Sequence, residues 1–189
     1  SRILEAPRGP FTLRARADRP DVAFVAMHGQ GGEDGTVQEL LEILGIPYTS
    51  SGVSACERAW DKVVAKAVFA SADIPTPASY AFSQAAFREL GAADALGEIE
   101  SRLGLPLVVK PARGGSALGI RLAHEPGEVP AALMAALAYD ERLLMERDVA
   151  GRELAISVVG GSTGRRAIMT LGARSTSCAC GLPASSPQP

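Results

Sequence analysis

The chain has 189 residues and a formal net charge of −2, with 47% apolar and 21% charged residues, the balance of an ordinary soluble globular protein. Such a charge excludes the basic field that attracts nucleic acid, and no apolar run is long enough to span a bilayer. The length admits one domain or two small ones, and with no signal-like stretch after Ser1 a cytoplasmic protein, or a piece of one, is expected.

In chain order, the first twenty residues carry no clean period and read as a lead-in. "DVAFVAMHG" then reads as a buried strand ending at His28. A glycine-rich loop leads into a helix with Val37, Leu40, Leu41 and Leu44 on one face. Thr36 and Glu39 have capping-box spacing, Gly45 suits the C′ position and Pro47 bars continuation. A second helix is expected from about Ser54, with a box to Glu57, through to about Ala72. Its buried stripe would be Trp60, Val63, Val64 and Ala67, leaving Lys62 and Lys66 on a solvated face. "DIPTP" breaks the chain, and a helix with a glycine interruption is predicted from Ser83 to Leu103. Then come a strand from Leu105 to Lys110, a glycine-rich loop, a short strand "LGIRLA" and a proline-started helix "VPAALMAALAYD". "RLLMERDVA" and "RELAISVVGG" read as strands that turn at Gly151. From about Ser162 neither period is present, and the Ser, Pro, Ala and Cys mixture is expected to be disordered or loosely attached. The pattern is α/β, without a repeat.

Two segments carry candidate chemistry. In "LPLVVKPARGGSALGI", Lys110 precedes Gly114, Gly115 and Gly119, so the phosphate loop that ends in lysine is excluded. A lysine at a strand end, with a glycine loop folding over phosphates and Ser116 adding a hydroxyl, meets the same physical need. A plain hairpin with a solvent-facing lysine is the alternative. Glu146 and Glu153 sit on strands where carboxylates hold a ribose, pair with Lys110 or are simply solvated. In "HGQGGEDGTVQEL" a strand end faces a helix N-terminus, a ligand-binding arrangement in α/β sheets. Glu33 and Asp34 there favour a zwitterionic or cation-bearing ligand over a bare anion, or else are incidental acids at a capped turn.

Other features carry less. Cys56 stands alone, and Cys178 and Cys180 form a C-x-C without partner histidines, a poor zinc or redox pattern. "GGSTG" (Gly160 to Gly164) fits a nucleophile elbow, but no clear helix follows and both histidines lie upstream.

The segments "HGQGGEDGTVQELLEILGIPYTSSGV", "WDKVVAK", "GLPLVVKPARGGSALGI" and "ERDVAGRELAISVVG" together resemble the D-alanine–D-alanine ligase family of ATP-grasp enzymes, from about Asp21 to Gly161. The first block departs from the family signature mainly at Glu39, where a small residue is usual. The resemblance implies an α/β fold of ATP-grasp type. Residues 1–57 would be the remnant of an N-terminal substrate domain, 58–161 the central ATP-binding subdomain and 162–189 a tail without clear fold.

It also implies a reaction: ATP phosphorylates one D-alanine carboxylate and the amine of a second D-alanine attacks the acyl phosphate, for peptidoglycan synthesis. Lys62 and Lys110 would contact the ATP phosphates, and Glu146, Arg147 and Val149 would line the adenine hinge. Glu153 would bind the ribose. Arg113 to Gly119 would form the loop over the phosphates, with Gly114, Gly115 and Gly119 in it and Ser116 helping it close. His28 would sit at the first D-alanine's carboxylate. The family is usually dimeric and uses Mg, but its tyrosine, arginine and Asp/Glu/Asn magnesium ligands have no counterpart after Gly161, nor its substrate-binding glutamate before Asp21. The loop reads Gly114-Gly115-Ser116-Ala117 where Glu-Gly-Ser-Ser is common. An incomplete ligase, inactive by itself, is therefore expected. A non-catalytic nucleotide-binding fragment and another ATP-grasp carboxylate–amine ligase are the alternatives.

Overall fold

In "LPLVVKP", side chains alternate across a strand, Leu107 and Val109 to one side and Val108 and Lys110 to the other. The computed structural model, which describes residues 20–89, 92–160 and 166–175, builds its main sheet on that alternation. The elements are α1 (Thr36–Ile43), α2 (Val53–Trp60), α3 (Lys62–Ser71), β1 (Ser79–Ser83), α4 (Gln84–Glu89), α5 (Ala92–Leu103), β2 (Leu107–Pro111), β3 (Arg121–Ala123), α6 (Val129–Leu137), β4 (Arg142–Arg147), β5 (Arg152–Gly160) and β6 (Arg166–Ser175). They divide after Arg147 into two units.

In the first unit four strands pair antiparallel in the order β1-β4-β2-β3. One face is the core: Leu107, Val109, Leu143 and Met145 pack with Leu103 of α5 and with Val129, Ala132, Leu133 and Ala136 of α6. The α6 residues fall at helical spacing, so one stripe of a proline-started helix seals the sheet. β1 lies where the sequence predicted only a break before a helix. Its Tyr80 and Phe82 pack against this core, and Phe82 stacks on Phe87 of α4 at 5.5 Å. The helix expected from Ser83 starts one residue later, with the Ser83 hydroxyl accepting from the Ala86 N–H at 3.1 Å.

The end of α1 follows the sequence reading and its start does not. Gly45 (φ 61°) turns the chain, with Ile46 N–H bonded to Leu41 O at 2.8 Å and Gly45 N–H to Glu42 O at 2.9 Å. At the N-terminus no Thr36–Glu39 box forms, because Thr36 is already helical. Asp34 takes its place, accepting from the N–H groups of Gly31 (2.9 Å) and Thr36 (3.0 Å). Burial raises the Asp34 carboxyl, yet these donors outweigh it and hold it below the ordinary value.

The strand expected over 21–29 is reduced to one parallel bridge, Ala23 to Tyr48. Val22, Phe24 and Met27 are 56%, 80% and 51% exposed rather than buried. An apolar run becomes a buried strand only where neighbours pair with it and cover it, and among the described residues only the Pro47–Thr49 segment does so.

The second unit contains the antiparallel pair β5 and β6. β6 occupies residues expected to carry no regular structure. Its register breaks between Leu154 and Ala155, opposite Gly172. A bulge there interrupts the period-two signal, while main-chain pairing needs no side-chain period.

Candidate functional site

The site begins with a break in a helix. Instead of one helix from Ser54 to Ala72, the chain becomes extended at Asp61 (φ −90°, ψ 109°) between α2 and α3. Asp61 Oδ1 accepts from the N–H groups of Val63 and Val64 at 2.9 and 3.2 Å, capping α3. Its Oδ2 accepts from the Arg142 guanidinium at 3.0 Å. Its backbone bridges Arg113, and the Lys62 N–H donates to Ala112 O at 2.8 Å. The break therefore docks the first turn of α3 beside the glycine-rich loop, where Lys62 Nζ donates to Gly114 O at 2.9 Å.

α3 consequently departs from the sequence expectation. Lys62 and Lys66 turn inward, and of the expected stripe Trp60 and Val63 are half-buried while Val64 and Ala67 are exposed. The hydrophobic stripe loses because capping at Asp61 and paired ammonium groups fix the helix's rotation. Burial first, then the nearby Lys110 ammonium, pull the Lys62 pKa below its ordinary value against Asp140, Asp61 and Glu146.

The open face of the sheet holds the charges. Val108 pairs with Glu146 and Lys110 with Leu144, which puts Lys110 and Glu146 diagonally on one face. Lys110 Nζ bonds Glu146 Oε1, while Lys66 Nζ bonds Glu146 Oε2 at 3.1 Å and Pro77 O at 2.7 Å.

Above the strand end, Gly114 (φ 117°) and Gly119 (φ 73°) adopt left-handed conformations, as do Ser116 (φ 51°) and Ala117 (φ 56°). At Gly119 a Cβ would lie 2.6 Å from the Tyr139 ring and 2.8 Å from the Pro111 side chain, so the loop's return requires glycine. Its stem is clamped: Asp140 accepts from the Arg113 N–H (2.8 Å), Nε (3.2 Å) and Nη2 (3.1 Å). Burial raises the Asp140 carboxyl, but the Arg113 guanidinium and the Arg142 and Arg113 N–H groups together hold it below 3.8. A Cβ on Gly115 would come 3.1 Å from the Glu33 carboxylate, so this loop and the loop after His28 approach each other. Between them an open cavity of about 280 Å³ is lined by Glu33, Ala59, Trp60, Lys62, Gly114 and Gly115.

The structure thus brings together Lys62, Lys110, Glu146 and the glycine loop. Arg147 is separated from them: it pairs with Leu107 on the core side, and its Nε donates to Leu103 O at 2.8 Å, at the C-terminal end of α5. Only its main chain remains for a hinge. His28 and Ser116 are exposed. Val149, 64% exposed, and Glu153 belong to the second unit, and the Glu153 side chain lies outside the described residues, as do Cys178, Cys180 and most of "GGSTG". Lys66, Asp61 and Asp140 were missed. An aspartate directly before a lysine and a valine pair is a helix N-cap signal, and reading it would have placed the break.

Comparison with known proteins shows the family. The family profile "D-ala D-ala ligase C-terminus" matches residues 68–177, more than half of the chain, and "D-ala D-ala ligase N-terminus" matches 5–51. The first match includes β6. A D-alanine–D-alanine ligase from Geobacter sulfurreducens is 42% identical over 139 residues, 74% of this chain and 42% of that protein. The VanG D-Ala:D-Ser ligase of Enterococcus faecalis is similar in structure with a TM-score of 0.69 at 32% identity, covering 78% of this chain and 41% of that one. D-alanyl-alanine synthetase A of Vibrio cholerae gives a TM-score of 0.70 at 29% identity, over 78% and 43%. The chain spans well under half the length of these relatives. With its α/β architecture of ATP-grasp type and its matches over both parts, the chain belongs to the D-alanine–D-alanine ligase family.

Proposed function

We propose that the whole protein is an ATP-dependent ligase that joins two D-alanine molecules in the cytoplasm for cell-wall peptidoglycan, and that this chain carries its nucleotide clamp. The observation that carries the reading is the convergence of Lys62 and Lys110 on the glycine-rich loop, beside Glu146. In this reading residues 1–57 end the substrate domain and 58–161 form the ATP-binding subdomain. Among the described residues no helix is long and apolar enough to cross a membrane.

The residues present suit a nucleotide. Lys62 and Lys110 supply charge to phosphate oxygens, and Arg113, Gly114, Gly115 and Gly119 shape a loop whose N–H groups come close to them. Glu146 and the main chain at Arg147 and Val149 serve the base, and Glu153 the ribose. The nucleotide supplies a phosphoryl group that activates a carboxylate. His28 would sit at that carboxylate and orient it, and Ser116 would help the loop close. Offsetting charge on a transferred phosphoryl group is electrostatic work, which fixed ammonium groups and N–H dipoles perform. Magnesium is different: among the described residues no three His, Cys, Asp or Glu side chains cluster to hold a metal ion.

Calorimetric titration of the chain with ATP tests the reading. Binding is expected, weakened about tenfold or more in Lys110→Ala, the loss of one charge-assisted contact. Absence of ATP binding, or a Lys110→Ala variant that binds as the parent does, would overturn it.

A further inference from the structure

We infer that Lys66 is a positioning residue of the nucleotide site: by holding one oxygen of Glu146 it leaves Lys110 free to meet phosphate. This rests on the nucleotide reading above. Lys66 follows Lys62 by about one helical turn, so both lysines leave the same side of α3. They do different things there. Lys62 reaches the loop at Gly114 O, whereas Lys66 stops short of it, bonded to Pro77 O and Glu146 Oε2. Lys66 therefore ties α3 both to the segment before β1 and to β4.

The charges explain why that tie matters for ligand. Lys66, Lys110 and Glu146 are 16%, 18% and 11% exposed at their side chains, so their mutual pairing is only partly screened by water. Two ammonium groups share one carboxylate, and one positive charge remains uncompensated in the triad. An ammonium has three donors, and Lys110 gives one of them to Glu146 Oε1. Without Lys66 the triad becomes neutral, and both oxygens of Glu146 turn to Lys110. Phosphate would then have to separate a half-buried ion pair before using that lysine. A lysine that merely pinned α3 in place would act by displacing Lys62, and it would give no rise in the ratio of ATP to AMP affinity when Glu146 is neutralised.

The dissociation constants of ATP, ADP and AMP, measured by calorimetry at fixed ionic strength on the full chain, separate these roles. Lys66→Met keeps the aliphatic stem and is expected to weaken ATP about tenfold and AMP by less than about twofold, with ADP between them. Lys66→Arg, which keeps the charge on Glu146, is expected to restore most of the ATP affinity. Glu146→Gln removes the competitor for Lys110 and should raise the ratio of ATP to AMP affinity, an arm that stands even where Lys66→Met does not fold. An equal loss for all three nucleotides in Lys66→Met, or an unchanged ratio in Glu146→Gln, overturns the role of Lys66 while leaving the nucleotide reading intact. A parent chain that binds none of the three overturns the nucleotide reading, and the inference with it.

Discussion

The two faces of the four-stranded sheet are built from alternate residues of the same strands, yet they are held by different forces. Under α5 and α6, Leu107, Val109, Leu143 and Met145 are fully buried in a cluster of apolar side chains. On the other face Lys110 and Glu146 lie within a network that draws in Lys66, while Lys62 reaches over to the loop. The first face is non-directional and gains stability from area removed from water. The second depends on partners placed to within an ångström, because a half-buried charge without its partner is costly. Stability and ligand chemistry are thus separated by a single residue step along β2.

Adjacent residues of β2 test that separation most strongly. Leu107→Ala should cost about 2–5 kcal/mol, because it opens a cavity where the side chain is fully buried. Val108→Ala, on the half-exposed charged face, should cost about 1 kcal/mol or less. Urea unfolding monitored by circular dichroism measures both. If the two variants lose equal stability, or if folded Leu107→Ala loses ATP affinity as Lys110→Ala does, the faces are not independent.

The helix α6, the strand β2 and the Gly45 stop of α1 were legible in the sequence because their signals are local, each sitting within a few residues. What escaped depends on contacts distant in sequence. The rotation of α3 is decided by Asp61 meeting Arg142 and by Lys66 meeting Glu146, 81 and 80 residues apart, and no period over 54–72 reports that. The segment 21–29 failed for the converse reason, since its apolar pattern describes burial by neighbours that the described residues do not supply. Lys110 and Glu146 stood out from the strand and glycine-loop pattern, whereas Lys62 came from a family motif, which records the outcome of long-range packing. Arg147 shows the limit of such a transfer: the position lies on the expected strand end, but its side chain caps α5.

Asp61 anchors α3 to the charged face through Arg142, and its removal is the next largest effect. Asp61→Ala takes away the cap of α3 and leaves the Arg142 guanidinium without that carboxylate, a cost of about 1–2 kcal/mol. Asp61→Asn, which still caps but carries no charge, should recover roughly half of it. Because Lys62 is the first residue of α3, the Ala variant should also bind ATP more weakly than its lost stability explains. Thermal melts with and without ATP distinguish these outcomes: a shift on adding ATP that stays as large in Asp61→Ala as in the parent would mean that Lys62 is placed by something other than this cap.

The smallest effect is carried by a proton, and it moves stability and binding in opposite directions. The folded chain holds the Lys62 proton less tightly than the ordinary value of 10.5, chiefly through burial and then through Lys110. Below the folded value Lys62 is charged in both states, and the folded state bears the full penalty of that charge. As pH rises from the folded value to 10.5, the unfolded chain still binds a proton that the folded chain has released, so this residue's contribution to stability improves. Phosphate binding needs the charged form, so ATP affinity should fall over the same window. Bringing in an anion reverses the balance at Lys62, and binding there should take up a proton, read as a dependence of the calorimetric enthalpy on buffer ionisation. In Lys62→Arg the guanidinium stays charged, and both the decline in affinity and the proton uptake should disappear. If they persist in that variant, the titrating group is another member of the charged face, and Lys62 is not the residue through which pH acts.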